Sequence, residues 1–117
     1  MPKEIYEELD RAKFNALLQE GTHTIIIKFT AEWCKPCKTI KGFVDDAFGK
    51  LPDSILVFDL DIDDNFDIYA FMKTKKQVNG IPTMLCYKPG NTSIGADHSI
   101  SGTDTNQIAA FLNQCVS

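Results

Sequence analysis

Two cysteines separated by two residues, in Cys34-Lys35-Pro36-Cys37, follow closely on the β-branched run Thr24-Ile25-Ile26-Ile27-Lys28-Phe29. Such a run has the composition of a strand buried on both faces, the kind that belongs in a sheet covered by helices. Downstream of the cysteines, Ile40, Phe43, Val44, Ala47 and Phe48 recur at helical spacing. The cysteine pair therefore falls where a buried strand gives way to a helix, and that junction places it at one end of a sheet.

The remaining pattern supplies the rest of such a fold. Leu9, Phe14, Leu17 and Leu18 predict an earlier helix that Gly21 stops. Ile55-Leu56-Val57-Phe58-Asp59-Leu60 reads as a second buried strand, and Asp67 to Met72 as a helix. Thr83-Met84-Leu85-Cys86-Tyr87-Lys88 and Ser99-Ile100-Ser101 flank the turn formers Pro89-Gly90-Asn91 and Gly95, which predicts a hairpin. Asp104 with Gln107 resembles a capping box opening a last helix through Ile108, Phe111 and Leu112. Strands alternating with helices, then a hairpin and a helix, give an α/β class with a mixed sheet covered on both faces. The length of 117 residues fits one domain spanning 1–117, and no repeat, low-complexity stretch or linker interrupts it.

Composition narrows the chemistry. With 44% apolar and 24% charged residues a full core is possible. A net charge of -4 argues against nucleic acid as the main partner, because such binding rests on neutralising phosphates. No apolar run approaches the roughly 18 residues of a membrane span. The start, Met1 to Glu8, has mixed charge and no hydrophobic stretch, so no secretory signal and a cytoplasmic location are expected. A zinc site would want a second close pair of ligands, and Cys86, Cys115, His23 and His98 are not spaced as one. A disulfide scaffold belongs to smaller chains with poorer cores. Redox chemistry at Cys34 and Cys37 is the reading left. The thiolate is the reactive form, and a helix N-terminus offers it free N–H groups and partial positive charge. Pro36 suits the first helical turn, where its missing N–H has no partner to lose. Cys34 is expected to be the exposed thiol of lowered pKa, with Cys37 shielded behind it.

Ala31-Glu32-Trp33-Cys34-Lys35-Pro36-Cys37-Lys38 resembles the active-site segment of the thioredoxin family, and Gly80-Ile81-Pro82-Thr83 resembles that family's cis-proline loop. The similarity extends from Lys3-Glu4-Ile5 to Phe111-Leu112. It implies the thioredoxin fold, a central mixed sheet of about five strands with helices on both faces and a short edge strand near Pro2 to Ile5. It implies a thiol-disulfide oxidoreductase that reduces protein disulfides, in which Cys34 attacks and Cys37 resolves the mixed disulfide. It further implies a cis Ile81–Pro82 bond and a substrate groove lined by Trp33, Ile81 and Gly102. No metal and no cofactor beyond the Cys34–Cys37 disulfide are implied. The implied partners are protein disulfides and an external reductase such as a thioredoxin reductase, with the chain acting as a monomer. Two alternatives keep the same fold: a more oxidising oxidase or isomerase, and a redox-inactive adaptor.

Several residues depart from the family pattern. Lys35 stands where a glycine is usual and adds positive charge beside Cys34. Lys28 stands where the family has a buried aspartate, and Asp59 where some relatives have lysine. A lone buried ammonium is costly, so a reversed Lys28–Asp59 ion pair is expected beneath the active site. With Lys35, Pro36 and Pro82 this pair forms the set expected to tune the dithiol. Gly42 replaces a proline common in relatives, which predicts a straighter helix. The stretches from Phe66 to Val78 and from Lys88 to Ser99 are longer than usual, and the first carries Lys73, Lys75 and Lys76. Cys86, in a strand, is expected to be a small buried apolar residue, and Cys115, near the C-terminus, a packing residue or an incidental thiol.

Overall fold

Strand β1 (Thr24–Thr30) is central to the sheet, with its five inner residues buried. The structure, a computed structural model, describes residues 3–117. Helix α1 (Arg11–Glu20) precedes β1, and α2 (Lys35–Gly49) leaves it. There follow β2 (Ile55–Asp61), α3 (Phe66–Thr74), β3 (Thr83–Tyr87), β4 (His98–Ser101) and α4 (Thr105–Val116). The sheet order is β2-β1-β3-β4. β2 runs parallel to β1 with Lys28 opposite Asp59, while β3 is antiparallel to both β1 and β4. The predicted hairpin is the β3–β4 pair.

Alternation along β1 divides the core in two. Ile25, Ile27 and Phe29 pack with Phe14, Leu18, Ile68 and Met72, the inward stripes of α1 and α3. Ile26 packs with Ile40, Val44 and Phe48 of α2 and with Ile108, Phe111 and Leu112 of α4. Lys28, in phase with Ile26, is thereby directed to the face that α2 covers. Local chemistry sets the helix bounds. Asp10 caps α1 by accepting the Lys13 N–H at 2.8 Å, so Leu9 lies ahead of the helix although it is buried in the core. Gly21 ends α1 in a left-handed conformation at φ 64°, its N–H bonded to the Leu17 carbonyl. α2 runs unbroken through Gly42. Among the described residues, no helix is long and apolar enough to cross a membrane.

Among the described residues the sheet has four strands rather than about five. Pro2 lies outside the described residues, and Lys3 to Ile5 form no strand. Pairing on that edge contracts to one parallel bridge between Tyr6 and Phe58. Tyr6 N–H reaches the Val57 carbonyl at 3.0 Å, and its own carbonyl accepts from Asp59 N–H at 2.8 Å. Beyond it a buried side chain takes over the backbone groups. Asn65 Oδ1 accepts the Leu9 N–H at 3.0 Å, and its Nδ2 donates to the carbonyls of Glu7 at 3.1 Å and Asp61 at 3.0 Å. Glu7 and Leu9 are thus satisfied by an asparagine side chain rather than by a neighbouring strand.

Candidate active site

Cys34 is the N-cap of α2, in an extended conformation, with its N–H bonded to the Ala31 carbonyl at 3.1 Å. Its sulfur accepts the Cys37 N–H at 3.3 Å. Pro36 sits in the first turn, exposed like Lys35. Cys34 and Cys37 form a disulfide, their Cα atoms 5.3 Å apart, within the usual span for such a bond. The expected contrast in exposure between the two is small in this disulfide form. Cys34 is 5% exposed and Cys37 2%, because both pack against the apolar cluster of β1, α1 and α3.

The rim around the pair is built at the same end of the sheet. Trp33 is 65% exposed, and its indole N–H donates to Asp63 Oδ2 at 2.8 Å. Asp61 Oδ2 accepts the Glu32 N–H at 3.0 Å while Oδ1 accepts the Asp63 N–H at 2.9 Å. The acidic turn after β2 thus braces the active-site loop, a role sequence reasoning did not assign. The available signal was Asp61-Ile62-Asp63-Asp64, placed directly after a strand parallel to β1. The Ile81–Pro82 bond is cis. Thr83, the next residue, pairs with Phe29 of β1 and Ser101 of β4, which brings the proline loop and Gly102 to the Cys34 end of the sheet. Gly102 donates its N–H to the Pro82 carbonyl at 3.1 Å from a φ of 101°, a conformation that favours glycine. Ile81, half-buried, packs on the cluster that contains both cysteines.

Beneath the disulfide, Lys28 Nζ lies 3.7 Å from Asp59 Oδ1, the side chains 2% and 17% exposed. That is an ion pair too long to be a hydrogen bond, and Asp59 Oδ1 is buried without any hydrogen-bond partner. Burial raises the Asp59 carboxyl above the ordinary carboxylate range, and the attraction of Lys28 offsets only part of that. A cleft of about 350 Å³ joins these groups to the dithiol, with Lys28, Thr30, Cys37, Lys41, Asp59 and Asp61 in its lining. A larger cleft of about 650 Å³ lies among Arg11, Phe14, Asp67, Phe71 and Ile94 and touches neither cysteine. Lys73 and Lys75 are exposed and lie over the rings of Tyr69 and Phe71, at 5.9 and 5.8 Å from the ring centres. The sequence separates Cys86 from Cys115, whereas the structure brings both into the core cluster under α2 and α4.

This geometry can be set beside that of known proteins. The thioredoxin family model matches residues 5–114. Thioredoxin of Pseudomonas aeruginosa is 32% identical over 105 residues, covering 87% of this chain and 88% of that protein. A probable protein disulfide-isomerase A6 of Medicago sativa is 30% identical over 103 residues, 86% of this chain but only 27% of the plant protein. In three dimensions the chain resembles the short form of spinach chloroplast thioredoxin F, with a TM-score of 0.74, 14% identity and coverage of 99% of this chain and 96% of that one. The mixed sheet, the disulfide at the head of α2 and the extent of the family match lead to one assignment: the chain belongs to the thioredoxin family.

Proposed function

We propose that this chain reduces disulfide bonds in other proteins with the Cys34–Cys37 dithiol, acting as a monomer and without a further cofactor. The observation that carries the reading is a disulfide-forming pair at the N-terminus of α2 in a thioredoxin-family chain. The Cys34 thiolate attacks one sulfur of the substrate disulfide and releases the other as a thiol. Cys37 then attacks the Cys34 sulfur, closes the Cys34–Cys37 bond and frees the second substrate thiol, so two electrons pass to the substrate. The N-cap position of Cys34, the Cys37 N–H aimed at its sulfur and the neighbouring Lys35 support it as the nucleophile. Asp59, without a hydrogen bond at Oδ1 and lining the same cleft as Cys37, is suited to take up the proton that Cys37 gives away. Lys28 adds positive charge from below, and Pro36 and Pro82 shape the two loops between which the disulfide sits. Trp33, Ile81 and Gly102 are proposed to line the groove for an extended substrate segment.

An external reductase, proposed to be a thioredoxin reductase, returns the pair to the dithiol. A cytoplasmic setting is proposed with it, since a chain that gives electrons to disulfides is returned to the dithiol in a reducing compartment. The oxidase or isomerase reading is not favoured, because relatives matched along most of both chains are thioredoxins. Reduction of insulin disulfides, followed as turbidity with dithiothreitol as donor, tests the proposal. The wild-type chain accelerates it and Cys34→Ser abolishes the acceleration. Undiminished turnover by Cys34→Ser would refute it.

A further inference from the structure

Cys86 lies on β3, opposite Ile26 of β1 and His98 of β4, and Cys115 lies in the last turn of α4. They are 0% and 1% exposed, free of disulfide bonds and part of the same apolar cluster. Their thiols are neighbours: hydrogen bonding with Cys115 is the largest influence on Cys86, and the reverse holds for Cys115. Lys88, two residues along from Cys86 and so on the same side of the chain, donates from Nζ to the Cys115 carbonyl at 2.7 Å and the Ser117 carbonyl at 2.8 Å. One ammonium thus sits at the point where the end of β3 meets the end of α4. Its charge favours ionisation of both thiols. Hydrogen bonding between the two holds the Cys86 thiol below its usual range and, with burial second, pushes that of Cys115 above it. Of the two, Cys86 is therefore the readier to ionise and Cys115 the one that keeps its proton longer.

We propose that Cys86 and Cys115 are a second redox site, closing to an intramolecular disulfide that fastens the last turn of α4 to β3. The oxidant is a low-molecular-weight disulfide. The Cys86 thiolate attacks one of its sulfurs and expels a thiolate, leaving a mixed disulfide on Cys86. Cys115 loses its proton, attacks the Cys86 sulfur and expels the second thiolate. Two protein thiols become one disulfide, and the oxidant, having taken two electrons and two protons, leaves as two thiols. Access comes from local opening of the α4 end, which breaks the two Lys88 hydrogen bonds. The site works apart from the Cys34–Cys37 pair. Ile26, beside Cys86, precedes Thr30 at the active-site end of β1 by four residues, roughly 13 Å at about 3.3 Å per residue.

The test uses the full wild-type chain, equilibrated in glutathione buffers of increasing oxidised fraction. Thiols are quenched in acid and alkylated, and the digest is mapped by mass spectrometry. The expected result is a Cys86–Cys115 linked peptide lighter by two hydrogens, appearing more slowly than the Cys34–Cys37 link. Cys86→Ser should abolish the link and leave insulin reduction at the wild-type rate. Recovery of both cysteines as free thiols where Cys34–Cys37 is fully closed would overturn the proposal. So would their recovery only as separate glutathione adducts.

Discussion

At Lys28 a buried cation meets a partly buried carboxylate across two parallel strands, beneath the bond where the redox chemistry takes place. A unit charge acting across one or two side-chain lengths at an effective dielectric near 20 is worth about 1–2 kcal/mol, and Asp59 cancels part of it. A cation there favours the thiolate of the reduced form and so raises the reduction potential. Lys28→Met should therefore lower the potential by roughly 20–30 mV, since about 1.4 kcal/mol corresponds to some 30 mV in a two-electron couple. Equilibration with glutathione, read by alkylation of Cys34, measures it, and an unchanged potential would remove Lys28 from the tuning set. At Gly102 the cost of a side chain lies in the backbone alone, for nothing stands within 4 Å of an added Cβ. Gly102→Ala should lower stability by about 1–2 kcal/mol through its φ of 101°. Urea unfolding checks this, and an unshifted midpoint would contradict it. Lys28 and Asp59 were legible through the resemblance, as a lysine at the family's aspartate position with a carboxylate on the next strand, and the cost of a lone buried ammonium joined them. Asp63 was not, since its bond to Trp33 joins two turns that no periodicity connects.

Among the elements, the buried strands and amphipathic helices were legible because burial imprints a period on the sequence. Capping was legible in part. Asp104 accepts the N–H groups of Asn106 and Gln107 at 2.9 and 3.2 Å, which makes the forward half of the expected capping box. The edge strand expected near Pro2 to Ile5 contracts to the Tyr6–Phe58 bridge, and after it the backbone of Glu7 and Leu9 is bonded to the side chain of Asn65, a kind of contact that has no sequence period. Asn65→Ala tests this directly. It removes three hydrogen bonds and strands the buried Leu9 N–H, with a loss of at least about 1–3 kcal/mol of stability. Faster exchange of the Leu9 amide hydrogen should accompany it. A variant as stable as wild type would mean that the N-terminal segment is held by its apolar contacts alone.

Across the whole molecule the two faces of the sheet carry different tasks, with the Cys34–Cys37 disulfide at one end and the Cys86–Cys115 thiols further along. The proximity of Cys86 and Cys115 was invisible in the sequence because it depends on how α4 lies across β3. Asp59 links pH to global stability. Its carboxyl is raised from 3.8, so the fold holds that proton more tightly than the unfolded chain does. Its contribution is complete below that unfolded value and is lost as pH rises through the folded one. Wild type should therefore lose stability relative to Asp59→Asn as pH climbs from acid towards neutral, as urea midpoints at each pH would record. A constant difference would show that Asp59 titrates alike in both states. The central claim, that Cys34 attacks and Cys37 resolves, is tested most directly by trapping. Cys37→Ser mixed with a protein disulfide substrate should accumulate a mixed disulfide that maps to Cys34, while Cys34→Ser should trap none. A mixed disulfide mapping to Cys37 in Cys34→Ser, with none formed by Cys37→Ser, would contradict the account.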